Sequence, residues 1–186
     1  VLQAPGLYTP PAAHWPARGP VRGGVPVIFP QFNRFGAGPR HGCARERDWE
    51  IASADNDTAE ASLQLTPIDG IAARLQLHAQ RRNAGDARGV RVALEATSNS
   101  DTDQAFGAAL HTYLDVGDVS ACVVHGLQDC AWLDCAGGAM QWMPPTRAPL
   151  TPVDETDRIY LLPDACAVTV VQVQGPSGVI TVRIQG

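Results

Sequence analysis

Short runs of alternating apolar and polar residues dominate this chain, and no segment holds a 3.6-residue apolar period over three turns. Successive side chains of a strand point to opposite faces, so such alternation lays one face on a core and leaves the other in water. Ala61-Ser62-Leu63-Gln64-Leu65-Thr66, Arg74–His78 and Val90–Glu95 read this way. So do Val168–Gln174 and Val179–Ile184, with Gly175-Pro176-Ser177-Gly178 as the turn between them. Punctuation such as Asn83-Ala84-Gly85-Asp86 and Gly117-Asp118 recurs between short strands. The expectation is an all-β chain, a large antiparallel β-sandwich without long helices. No repeat or linker divides it, and Pro144-Pro145 and Pro149 mark a loop, so residues 1–186 read as one domain with a real core.

Charge and composition remove several function classes. A net charge of -5 argues against general binding to nucleic acid or anionic membranes. No apolar run approaches a membrane span, and no charged-then-apolar start reads as a signal peptide. All 14 basic residues are arginine, which excludes a Schiff-base lysine, a pyridoxal-phosphate anchor and a P-loop lysine. The five cysteines (Cys43, Cys122, Cys130, Cys135, Cys166) are odd in number and form no Cys-x-x-Cys pair. They read as reduced thiols of a cytoplasmic protein, with no metal site.

One stretch is too broken for a helix and too rich in chemistry for an ordinary turn. Arg22-Gly23-Gly24-Val25-Pro26-Val27-Ile28-Phe29-Pro30 is followed by Pro39-Arg40-His41-Gly42-Cys43-Ala44-Arg45. Glycine lets the backbone turn and approach a ligand closely, and proline fixes φ. Guanidinium forks so placed suit a phosphate or a carboxylate.

These blocks, with Trp49, His111-Thr112-Tyr113-Leu114-x-Val116-Gly117-Asp118 and Thr156-Asp157-Arg158-Ile159-Tyr160, occur in one order. From about Trp15 to about Val171 the chain resembles the hexose-6-phosphate mutarotases (glucose-6-phosphate 1-epimerases), a branch of the aldose 1-epimerase superfamily. The resemblance implies the galactose mutarotase-like supersandwich, incomplete at both ends, since relatives run longer and this chain starts at Val rather than Met. It also implies a cofactor-independent isomerase acting on a phosphorylated sugar, and we expect a monomer.

Opening and reclosing a sugar ring needs only proton transfers: a base takes the anomeric proton while an acid protonates the ring oxygen. By resemblance His111 is the acid, Arg22 and Arg45 hold the phosphate, and His41 and Asp157 contact the sugar. The base in relatives is a glutamate expected C-terminal to Gly186; Glu46, Glu50, Glu60, Glu95 and Glu155 match no such context. Arg40 stands where relatives commonly have Gln, and Cys43 where they commonly have Phe. His14, His78 and His125 read as surface or strand-face residues. A non-catalytic phosphosugar-binding β-sandwich is the alternative. A metal-dependent cupin would need a His-x-His pair, which is absent.

Overall fold

The computed structural model describes residues 6–16, 19–55, 60–68, 70–80, 89–138, 140–162 and 168–186. Those residues group into two compact units, Val1–Tyr113 and Leu114–Gly186. Among them the only helical segments are single 3₁₀ turns, and every strand ladder is antiparallel, as the alternation predicts. Among the described residues no helix is long and apolar enough to cross a membrane.

The first unit carries β1 (Val27–Ile28), β2 (Glu50–Asp55), β3 (Glu60–Ile68), β4 (Ile71–Gln80), β5 (Gly89–Ser98) and β6 (Ala109–Leu110). Strands β2 to β5 form a meander in sequence order, while β1 and β6 pair separately. Register explains the core. Leu63, Leu75 and Leu94 lie opposite one another across β3, β4 and β5, as do Leu65, Ala73 and Ala96. Directly opposed apolar side chains on one face are the unit of sheet stabilisation. On that face Leu65, Ile68, Ile71, Ala73 and Leu75 are buried together with Val27, Phe29 and Ala44 of the Arg/Gly/Pro-rich stretch. The opposite face is polar: Gln76 Nε2 donates to Glu95 Oε1 (2.8 Å), and His78 pairs with Glu60 (2.7 Å). The sheet is therefore the platform on which the unusual stretch is packed.

The strand expected to end at Thr66 continues to Ile68 through Pro67, across a register shift between Leu65 and Ile68. A residue without an N–H is tolerated at such an irregularity. The expected turn at Asn83–Asp86 lies outside the described residues.

The second unit carries β7 (Val123–His125), β8 (Trp132–Asp134), β9 (Gln141–Met143), β10 (Arg158–Tyr160), β11 (Thr169–Gly175) and β12 (Gly178–Ile184). One sheet has the order β12-β11-β7 and the other β10-β8-β9. The expected hairpin is present, with Gly175 opposite Gly178 and Pro176-Ser177 as its turn. Along β11 the alternation buries Val171 and Val173 while Gln172 and Gln174 stay exposed. Cys43, Cys122, Cys130 and Cys135 are free thiols, and Cys166 lies outside the described residues.

Candidate active site

Phe29 fixes the broken stretch to the core. Its side chain is 0% exposed and meets the Phe106 ring at 5.6 Å, and its carbonyl accepts the backbone N–H groups of Cys43 and Ala44, both at 3.1 Å. Gly42 passes directly against that carbonyl at φ +66°; a Cβ there would sit 2.2 Å from Phe29 O. Only glycine allows both the approach and the conformation. Trp49 Nε1 donates to Ala44 O (2.9 Å), closing the 3₁₀ turn Ala44–Glu46.

The same stretch positions His111. Val27 pairs with Leu110 and Ile28 with Ala109, so the residue after β6 emerges beside Pro26. His111 N–H donates to Pro26 O (2.9 Å), Tyr113 N–H to Gly24 O (2.9 Å), Gly24 N–H to Tyr8 O (2.7 Å) and Tyr8 N–H to Tyr113 O (2.9 Å). The exposed imidazole of His111 lies 5.0 Å from the Tyr113 ring and 6.3 Å from the His41 ring, the latter edge-on at 87°.

His41 is half-buried and adopts φ +68°, a left-handed conformation that costs a non-glycine residue of order 1–3 kcal/mol and persists only where its surroundings enforce it. The surroundings are specific. His41 N–H donates to Asn33 O (2.9 Å), Asn33 N–H donates to His41 Nδ1 (3.3 Å), and the Phe32 ring meets the imidazole at 5.9 Å. Burial, then the charges of Arg45, Arg40 and His111, hold the His41 pKa below its ordinary 6.5. Both causes favour the neutral imidazole, and an Nδ1 that accepts from Asn33 leaves Nε2 as the ring nitrogen able to donate.

Arg45 has a side chain 22% exposed. Among the described residues its Nε is buried without a hydrogen-bond partner, and it lies 3.8 Å from Glu46 Oε1, too far for a hydrogen bond. Its Nη2 donates to Arg40 O at a long 3.4 Å. A buried guanidinium nitrogen left unsatisfied is a donor suited to an anion. Arg22 is exposed on the bend that leads into the buried Gly23 and Gly24. Arg40, the departure from the resembling pattern, is exposed yet adds positive field at His41, and Cys43 packs against the core.

The structure thus gathers His41, Arg45 and His111 in the first unit, while Asp157 belongs to the second. Asp157 is exposed, and its carbonyl accepts Cys135 N–H (2.8 Å), extending the β8–β10 ladder by one residue. Burial, then the charges of Asp157 and Asp134, push the Cys135 thiol pKa up, which disfavours a reactive thiolate. His78 is engaged by Glu60, His125 lies on β7, and His14 is exposed. Among the described residues no group of three His, Cys, Asp or Glu is placed to hold a metal ion. Sequence reasoning missed Tyr113 as the ring beside His111, tilted by 30° to it, and Gln31 and Asn33, whose backbone partners are visible only in the folded loop.

An antiparallel all-β framework carrying these groups is that of the mutarotase fold. A Salmonella typhimurium crystal structure described as a "putative mutarotase (YeaD)" matches with a TM-score of 0.69 over 92% of this chain and 57% of that one, at 24% identity. The aldose 1-epimerase family pattern matches residues 7–186, and the chain belongs to that family. It is 30% identical over 162 residues to a Salmonella typhimurium protein named "Putative glucose-6-phosphate 1-epimerase" (80% of this chain, 50% of that protein). Proteins of the same name from Escherichia coli and Cenchrus ciliaris are 31% identical over 152 residues and 32% over 149. They are covered over 50% and 42% of their lengths, for 80% and 72% of this chain. The chain spans about half the length of the curated relatives it matches.

Proposed function

We propose that the protein is an isomerase that interconverts the α and β anomers of hexose 6-phosphates without a cofactor. His111 protonates the ring oxygen while a base removes the proton of the anomeric hydroxyl. The bond between the anomeric carbon and the ring oxygen breaks, and that carbon becomes an aldehyde. Rotation about the adjacent carbon–carbon bond and reclosure, with both protons returned, give the other anomer. Such positioned acid–base groups contribute typically about 10²–10⁴-fold each. Arg22 and Arg45 take the phosphate, and His41 and Asp157 bind the sugar. The base is the glutamate that the resemblance puts C-terminal to Gly186.

The observation that carries this reading is the juxtaposition of His111 and His41 at 6.3 Å beside Arg45, whose Nε is buried and unsatisfied. A neutral hydrogen-bonding imidazole, a second imidazole and a guanidinium donor match an anionic sugar. The test is exchange NMR of the glucose 6-phosphate anomers, with the full-length gene product and with His111→Ala. Acceleration by the wild type, reduced about 10²-fold or more in the variant, is expected. Phosphate-dependent binding without acceleration would replace the enzyme by a phosphosugar-binding module.

A further inference from the structure

Gln31 follows the Phe29-Pro30 pair and is the buried polar side chain of this region, 7% exposed. Its amide is used in both directions. Oε1 accepts Gly38 N–H at 2.8 Å, while Nε2 lies within donor reach of three carbonyl oxygens: Asn33 (3.1 Å), Gly38 (3.1 Å) and Pro39 (3.2 Å). Two amide hydrogens are thus shared among three acceptors, and one acceptor meets one donor. This pattern fixes which end of the amide is nitrogen. No other side chain of this size supplies it: a carboxylate would face three carbonyls, and an apolar chain would take this partner from both the N–H and the carbonyl of Gly38, while Asn33 O and Pro39 O would keep only the N–H groups of His41 and Gly42.

The loop that Gln31 ties down begins at Asn33 and ends at His41, both at positive φ. Asn33 is the hinge of the arrangement. Its carbonyl accepts from Gln31 Nε2 and from His41 N–H, and its own N–H donates to His41 Nδ1. A backbone N–H can only donate, so Nδ1 must accept, and Nε2 is left as the polar atom that the ring offers elsewhere.

We propose that Gln31 is a positioning residue that acts through Asn33 to hold His41 in the tautomer with its proton on Nε2, so that His41 meets the sugar as a hydrogen-bond donor. The part of this that concerns the sugar rests on the mutarotase reading; the tautomer does not. Burial of His41 and the positive field of Arg45, Arg40 and His111 support it by keeping the ring neutral. Gly36 provides independent access to the same contact, because a Cβ there would lie 2.4 Å from Gln31 Oε1.

The experiment is long-range ¹H–¹⁵N correlation NMR of the His41 imidazole in ligand-free protein, assigned with His41→Asn, for wild type, Gln31→Met and Gly36→Ala. Wild type is expected to show a bare Nδ1 and a protonated Nε2. Both variants are expected to show a mixture of tautomers and an anomer-exchange kcat lowered roughly 10–100-fold, the scale of an ångström misplacement, with KM changed little. Should Gln31→Met fail to fold by circular dichroism, Gly36→Ala, altered on an exposed loop, decides. A His41 that keeps its Nε2 proton in the folded variants would overturn the proposal, as would a wild-type ring protonated on Nδ1. Absence of anomer exchange in the wild type would remove the mutarotase reading instead, and the spectra would still decide the role of Gln31.

Discussion

The two blocks that carry candidate chemistry are held by opposite means. In the first unit the segment from Arg22 to Arg45 contains one two-residue strand, the start of the 3₁₀ turn Ala44–Glu46 and otherwise irregular backbone, fixed by Gln31, by the Phe29 carbonyl and by residues at positive φ. In the second, Asp157 sits at the end of an ordinary ladder. Arg158, Ile159 and Tyr160 pair with Asp134, Leu133 and Trp132, so strand alternation alone sends Asp157 and Arg158 to opposite faces. On the Arg158 face the guanidinium lies 5.0 Å from the centre of the Trp132 ring and Nη1 donates to the Tyr160 hydroxyl (3.4 Å). A ladder tolerates change at an exposed position. A loop held by buried polar contacts and one buried ring does not.

The largest contrast should appear in stability. Phe29→Ala removes a fully buried ring and should cost about 3–5 kcal/mol. Asp157→Asn, exposed and bonded only through its carbonyl, should stay within about 0.5 kcal/mol of wild type. Urea unfolding of both variants reads this directly. Equal losses would mean that the loop is not anchored through Phe29 and would break the comparison.

Binding should sharpen it next. Arg45→Met deletes the guanidinium with its unsatisfied Nε while keeping much of the apolar stem. Charge-assisted hydrogen bonds of about 1.5–3 kcal/mol predict a roughly 10–150-fold weaker Kd for glucose 6-phosphate. The Kd for unphosphorylated glucose should be unmoved in that variant. Asp157→Asn should weaken both sugars alike, because a sugar-hydroxyl contact does not sense the phosphate. Calorimetric titration with the two sugars separates the roles, and a loss of glucose binding in Arg45→Met would contradict the assignment.

These contrasts also explain which parts were legible in the sequence. Alternation located β3, β4, β5, β11 and β12 because each is long enough to show a period. Strands β1 and β6, two residues each, carry none, yet they are what sets His111 against Pro26. His111, His41 and Arg45 could be picked out because glycine and proline announce an unusual loop and because their blocks resemble a known family. Gln31 and Asn33 could not. A glutamine in a loop is ordinary in sequence, and only the folded chain brings four backbone groups to its amide. That β3 reaches Ile68 was hidden for a related reason: Pro67 reads as a stop, and the register shift that accommodates it exists only in the ladder.

The smallest effect is a difference in acid response. His41 has a folded pKa below its ordinary 6.5, so as the pH falls below about that value the unfolded chain binds a proton that the folded chain resists. The first unit should therefore lose stability as pH falls from near 6.5 toward the folded pKa, and gain nothing further above it. Asp118, in the second unit, is shifted the same way for another reason. Its carboxylate accepts from the Ser120 hydroxyl (2.7 Å) and N–H (2.9 Å), which holds its pKa below the ordinary 3.8. The stability that it contributes is present above that ordinary value and lost only as pH falls through the lower folded one. Acid should thus weaken the two units in separate windows, with His41 responding first. Amide hydrogen exchange on β4 and β11 across pH 7 to 3 follows each unit, and His41→Asn should flatten the upper window alone. Asparagine suits the substitution because it tolerates positive φ, so the variant tests the proton and not the backbone. An unchanged slope on β4 in that variant would show that His41 does not set the acid sensitivity of its unit.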